Sequence, residues 1–378
     1  MRPDLSEQQA AIYDMALEFG RRKLAPHALD WDEKKFFPID VMRDAATLGM
    51  GGICIGDDVG GSSLGRVDAV LIFEALSISD PSIAAFISIH NMVAWMIDRF
   101  GDDAQRRTYL PELCSMAKLG SYCLTEADAG SDAAALTTTS KRQGDDYTIH
   151  GAKQFISGAG SSDIYIVMAR TGEPGPDGIS AFILNKEMLG ISFGANERKM
   201  GWNAQPTRAV IFDGVRVPAS HRLGIEGEGF KIAMAGLDGG RLNIGACSIG
   251  GAQGALDKAV AYMKERRAFG KALADFQALQ FRLADMETEL SAARLLLHAA
   301  AAAYDRGDPS ITAQCAMAKR LATDAGFNVA NAALQLHGGY GYLSETGIEK
   351  IVRDLRVHQI LEGTNEIMRL IISRALLK

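Results

Sequence analysis

Gly61-Ser62-Ser63-Leu64-Gly65 matches G-x-S-x-G, which exposes a nucleophilic serine on a sharp strand-to-helix turn. That chemistry needs a parallel strand before the turn, then an acid and a histidine. The surroundings read as helix, so a Gly/Ser loop is the better account. No complete G-x-G-x-x-G follows a strand and no G-x-x-x-x-G-K-[ST] occurs, which disfavours a nicotinamide Rossmann enzyme and a P-loop ATPase. The seven histidines are scattered without H-E-x-x-H. The five cysteines (Cys54, Cys114, Cys123, Cys247, Cys315) form no C-x-x-C, so no metal site is expected. Their odd number and wide spacing suit a reducing compartment.

Three glycine-rich segments are more specific together than singly: Leu124 to Asp132 (LTEADAGSD), Gln335 to Tyr342 (QLHGGYGY) and Leu361 to Glu366 (LEGTNE). Each has a plain local reading. Paired glycines end a helix, Thr364 is an N-cap, and Glu366 is a first-turn acid favoured by the helix dipole.

The elements that must position these segments fall into three blocks. Ser6 with Gln9 resembles a capping box, and Ile12, Met15 and Phe19 share one helical face. Asp80-Pro81 opens a helix that runs to Gly101, apolar on several sides and so buried. After about Gly120 the pattern changes to short runs, Tyr147 to His150, Ile164 to Met168, Ile179 to Leu184 and Ala209 to Phe212. Turn residues such as Gly172 to Gly178 (GEPGPDG) separate them, which predicts an all-β insert of roughly 100 residues. Helix returns near Glu228, with long helices expected near 275–304, 310–336 and 364–377. Gly, Ala and Ser between Gly236 and Gly254 allow close helix packing.

Composition supports a folded chain without a nucleic-acid role. The 378 residues are 47% hydrophobic and 23% charged, and 40 basic against 46 acidic residues give −6. The acidic residues among the first twenty argue against a targeting segment, and no apolar run is long enough to span a membrane. A cytoplasmic protein is expected, or a mitochondrial matrix one if processed.

The order of the segments resembles the acyl-CoA dehydrogenase family from end to end. The carriers are Tyr122 to Glu126 with Gly130-Ser131-Asp132, Gly151 to Ser157 (GAKQFIS), Arg266 to Gly270 (RRAFG), Gln335 to Gly341 and Glu362-Gly363-Thr364. The resemblance implies a mainly α fold with a central β domain: a helical N-terminal domain (1–119), a β-barrel-like middle domain (120–226) and a C-terminal four-helix bundle (227–378). It implies FAD, an acyl-CoA substrate oxidised between its α and β carbons, and electron-transferring flavoprotein as the acceptor. A homotetramer is the family norm.

Residue roles follow from the same resemblance. Glu362 is the α-proton-abstracting base. Some relatives carry the base just before an arginine, at a position that is Gly240 here, which cannot serve. Tyr122, Leu124, Thr125, Gly130 and Ser131 are expected along the flavin and its phosphates. Phe155, Ile156 and Ser157 are expected at the flavin ring, Phe155 standing where most relatives have Trp. Arg266, Gln277, Gln335, Gly338 and Gly339 are expected to reach the FAD of a neighbouring subunit, with Thr364 and Glu366 on the adenosine side. Ser131, Asp238, Arg241, Gly363 and Arg374 are expected to contact the acyl-CoA. Within the family, the segments at Phe155 to Gly160, Gly172 to Ser180, Gly201 to Arg208 and Val357 to Gly363 most resemble members that act on isobutyryl-CoA in valine breakdown. A straight short-chain or 2-methylbutyryl thioester is the alternative, and a non-catalytic or DNA-binding relative a remote one.

Overall fold

The computed structural model describes residues 4–377. The N-terminal block is α1 (Glu7–Phe19), α2 (Ala28–Lys34), α3 (Ile39–Ala46), α4 (Arg66–Ser77), α5 (Pro81–Phe100) and α6 (Asp103–Cys114). Ser6 and Gln9 close a reciprocal capping box on α1. The face of α1 is turned slightly from the expected one. Tyr13, Ala16 and Phe19 are buried, while Ile12 and Met15 flank the core, because α1 lies along α4. Asp80 caps α5 by accepting from the N–H groups of Ser82 and Ile83, ahead of Pro81 at its first turn. The Gly61–Gly65 segment is a loop leading into α4, with no strand before it. Ser63 Oγ accepts from the Asp57 N–H at 2.9 Å.

The middle block is β1 (Gly120–Cys123), β2 (Thr139–Gln143), β3 (Asp146–Ser157), β4 (Ile164–Arg170), β5 (Ile179–Asn185), β6 (Ile191–Phe193), β7 (Thr207–Pro218) and β8 (Arg222–Leu223). The strand path is β6-β7-β3-β2-β4-β5-β8, and β1 lies parallel to β4. The uninterrupted apolar runs of β4 and β5 have a physical cause. Ile164, Ile166 and Met168 pack with Met92, Met96 and Leu113 of the N-terminal helices, whereas Tyr165, Val167 and Ala169 enter a second core with Phe182 and Leu184. A strand buried on both faces need not alternate.

The C-terminal block is α7 (Gly229–Glu265), α8 (Gln277–Asp305), α9 (Ile311–Leu336), α10 (Ile348–Arg356) and α11 (Asn365–Leu376). α7 is a 37-residue rod packed on α4, α5, α8 and α9. Its small residues permit this. A Cβ on Gly254 would sit 2.6 Å from the Ile78 carbonyl oxygen. No described helix is long and apolar enough to cross a membrane.

Candidate active site

The three blocks meet around a cavity of about 640 Å³. Ser88 and Met92 of α5 line one wall, and Tyr122, Leu124, Thr125, Gly130 and Ser131 another. Phe155, Ile156 and Ser157 close the β side. Arg241 of α7, Glu362, Gly363 and Arg374 complete it. Twelve residues singled out in the sequence, scattered from position 122 to 374, thus share one lining.

Glu362 stands at its centre in an unusual backbone state. It has φ 58° and Gly363 has φ 86°, a left-handed pair between the turn after α10 and the start of α11. A non-glycine residue there is strained and must be held. Two cations hold it. Arg241 Nε donates to the Glu362 carbonyl at 3.1 Å, and Lys319 Nζ of α9 donates to the Gly363 carbonyl at 2.9 Å. Thr364 then caps α11 by accepting from the Ile367 N–H. The side chain has fewer partners than the backbone: Glu362 Oε2 is sealed from solvent and accepts no hydrogen bond. Burial pushes the carboxyl up to about 7, against the pull of Arg241 and Lys319. Gly240 leaves the space that the carboxylate occupies. Nearby, the Tyr122 hydroxyl is buried without a partner, and burial and then Glu362 hold its pKa well above the ordinary tyrosine range.

The β side is equally specific. β3 carries a bulge: Lys153 pairs with Val210 and Ile156 with Arg208, so one extra residue is inserted on β3. Phe155, in the bulge, has φ 59° and is 62% exposed toward the cavity it lines. Behind it, Lys153 is fully buried and donates to the Leu124 carbonyl at 3.0 Å and to Glu126 Oε1 at 2.7 Å. Burial alone would raise the Glu126 carboxyl, but Lys153, Thr138 and Thr137 hold it at about 2. The Gln154 N–H donates to the Thr125 carbonyl at 2.8 Å. This pair and these bonds lock the Tyr122–Ser131 segment against the bulge.

Other expected residues lie apart. Arg266, Gln335, Gly338 and Gly339 line a second, more open cavity of about 660 Å³ at the far end of α7. There Arg266 lies over the Tyr340 ring at 5.6 Å, and no atom stands within 4 Å of a Cβ built on either glycine. Gln277 is exposed at the first position of α8 and lines neither cavity. Asp238 does not line the first cavity. Its carboxylate accepts from Arg241 Nη1 and from Thr312 Oγ1, both at 2.7 Å. Glu366 is exposed beside Arg369 on α11. Among the described residues no cluster of His, Cys, Asp or Glu could hold a metal ion, and the five cysteines are free.

Glu126 and Lys153 stand inside quoted motifs but were given no role, and Lys319 was not singled out. Lys319 sits among Cys315, Ala318, Ala322 and Thr323 at helical spacing, which was the available signal.

The lining fits a flavin. It offers an exposed aromatic face, an orphaned tyrosine hydroxyl and an unpartnered carboxylate at one cavity, with Thr125, Ser131 and Ser157 hydroxyls on its β side. Helical, β and helical blocks around such a site define a flavoprotein oxidoreductase. The chain belongs to the acyl-CoA dehydrogenase family: the N-terminal, middle and C-terminal domain models of that family match residues 6–117, 121–215 and 227–377. It is 52% identical over 374 residues to mitochondrial isobutyryl-CoA dehydrogenase of Bos taurus, covering 99% of this chain and 90% of that protein. It is 53% identical over 375 residues to the Dictyostelium discoideum protein of the same name, with the same coverage. Among solved structures, butyryl-CoA dehydrogenase from Megasphaera elsdenii superposes with a TM-score of 0.97 over all of both chains at 38% identity. The protein is therefore an FAD-dependent enzyme acting on acyl-CoA.

Proposed function

We propose that this enzyme converts isobutyryl-CoA to methacrylyl-CoA, with Glu362 as the base. The observation that carries the base is a carboxyl at the cavity lining whose Oε2 is buried and unpartnered and whose pKa is pushed up to about 7. A base is most effective when its pKa lies near the working pH. The substrate reading rests on the 52% and 53% identity to two isobutyryl-CoA dehydrogenases.

The reaction removes two hydrogens from adjacent carbons. The α-proton moves to a carboxylate oxygen of Glu362, and its bonding pair becomes the new carbon–carbon π bond. The β-hydrogen leaves with its electron pair. FAD, when bound, supplies the two-electron acceptor for that hydride. The Glu362 backbone N–H is the chain's own candidate donor to the thioester carbonyl, where enolate charge develops as the α-proton leaves. Phe155 offers its ring to the flavin plane, and Tyr122, Thr125, Ser131 and Ser157 offer hydroxyl donors. Arg374, on the rim, suits a phosphate of CoA. Arg241 is committed to Asp238 and to the Glu362 carbonyl, so its part is to hold the base rather than to grip CoA.

The second cavity, with Arg266, Gln335, Gly338 and Gly339, completes the FAD site of a neighbouring copy in a homotetramer, and electron-transferring flavoprotein collects the electrons. The test is an anaerobic titration of the yellow enzyme with isobutyryl-CoA, butyryl-CoA and 2-methylbutyryl-CoA. Isobutyryl-CoA should bleach the flavin fastest, and Glu362→Gln should stay yellow and unbleached. Faster bleaching by another thioester overturns the substrate, and turnover by the variant overturns the base.

A further inference from the structure

Lys319 is a buried cation that the reaction as derived does not use. It lies on the apolar face of α9, is fully buried, and is removed by more than forty positions from the residues it touches. Its ammonium donates to the Gly363 carbonyl and to Asn365 Oδ1, both at 2.9 Å. Asn365 in turn donates to Thr323 Oγ1 at 2.9 Å and to Asp324 Oδ1 at 2.7 Å, so the amide is fixed on α9 from both sides. Burying a lysine is expensive, and two neutral acceptors offset only part of that cost. A buried methionine or leucine would fill the same volume without the penalty.

The ammonium is placed at a strained stretch of backbone. Glu362 and Gly363 are both left-handed, and the peptide that follows them has its carbonyl on Lys319. We infer that Lys319 is a positioning residue for the base: it fixes the Gly363 carbonyl and so sets the direction in which the Glu362 carboxylate points into the cavity. The inference rests on Glu362 being the base. It extends to charge. The groups that face Glu362 are Arg241 from α7, Lys319 from α9 and Tyr122 from β1. Those around Lys319 are Glu362, Arg241, Asp324 of α9, Glu366 of α11 and His358 of the turn after α10. Burial lowers the Lys319 pKa to about 8, and burial followed by Lys319 lowers that of His358 to about 3. At neutral pH the ammonium is therefore the charged neighbour and His358 the neutral one. A cation beside a carboxylate favours its ionised form, so removing it moves the base's titration to higher pH.

The experiment uses FAD-loaded full-length enzyme, with isobutyryl-CoA reduction followed by stopped flow from pH 5.5 to 9. Lys319→Met should lower the limiting reduction rate at least about tenfold, leave the substrate concentration for half-saturation within about twofold, and move the rate midpoint up by roughly one pH unit. Lys319→Gln keeps a donor but no charge. It should recover part of the rate while keeping the shifted midpoint. Wild-type rate and midpoint in both variants overturn the inference. So does failure of both variants to retain FAD, which makes Lys319 a structural residue only. Failure of the base reading looks different: there Glu362→Gln turns over, or wild type is not bleached by any acyl-CoA.

Discussion

A Cβ built on Gly240 lies 2.5 Å from Oε2 of Glu362. The glycine on α7 and the glutamate on the loop before α11 compete for one volume, and the carboxylate occupies it. Gly240→Ala should therefore displace the carboxylate while leaving α7 intact, since alanine is the better helix former. Flavin reduction should slow by about 10- to 100-fold, as expected when a reacting group is misplaced by about an ångström. Rapid-mixing absorbance at unchanged FAD content checks this. An unaltered rate would refute the competition.

The buried carboxyl predicts a pH profile. Only ionised Glu362 can take a proton, and its pKa in the free enzyme lies at about 7. The specificity constant for acyl-CoA should rise with pH through a single ionisation near 7 and level off above about 8. A midpoint near 4.5 would mean that the cavity is wet around Oε2.

The same carboxyl predicts a stability difference. Its folded pKa of about 7 is raised above the ordinary value of 4.5, so folding favours the protonated form. The contribution is full below about pH 4.5 and is lost as pH rises through 7. Glu362→Gln, with FAD bound in both proteins, should be more stable than wild type at pH 8 by up to roughly 3 kcal/mol and melt at a higher temperature, the gap closing toward pH 5. Equal melting temperatures at both pH values would contradict it.

The left-handed, exposed Phe155 predicts a trade between cofactor affinity and backbone comfort. It is left-handed and 62% exposed, so its ring adds little to the core. Phe155→Gly should relieve about 1 kcal/mol of strain in the FAD-free protein and weaken FAD binding by roughly tenfold or more. Thermal melts of the FAD-free chain and fluorescence titration with FAD measure the two effects separately.

How far the sequence was readable depends on how local each feature is. Capping at Ser6 and Asp80 uses neighbours within three residues, and those helix starts were legible. So were the strand runs, because β4 and β5 are mostly apolar and buried over their first six residues. The Phe155 bulge was not: Gly151 takes φ 141° as a glycine can, but nothing marks Phe155 for φ 59°. The bond of Asp238 to Thr312, 74 positions away in sequence, was not legible either. Lys319 and Glu126 were hidden for the same reason: their partners are fixed by how helices and strands dock.

One consequence follows from the length of α7. Arg241 lies beside Glu362 and Arg266 lines the second cavity, and the rod between them is about 38 Å at 1.5 Å per residue. A single chain thus presents the Glu362 cavity and the Arg266 cavity at separated ends of one helix. On the proposed assembly, two inactive proteins, one Glu362→Gln and one Arg266→Glu, should regain activity when co-expressed, because a mixed assembly would pair an intact base with an intact Arg266 from another copy; no recovery would refute the shared site. If copies complete each other in this way, the length of one helix makes catalysis a property that defective chains can restore to each other.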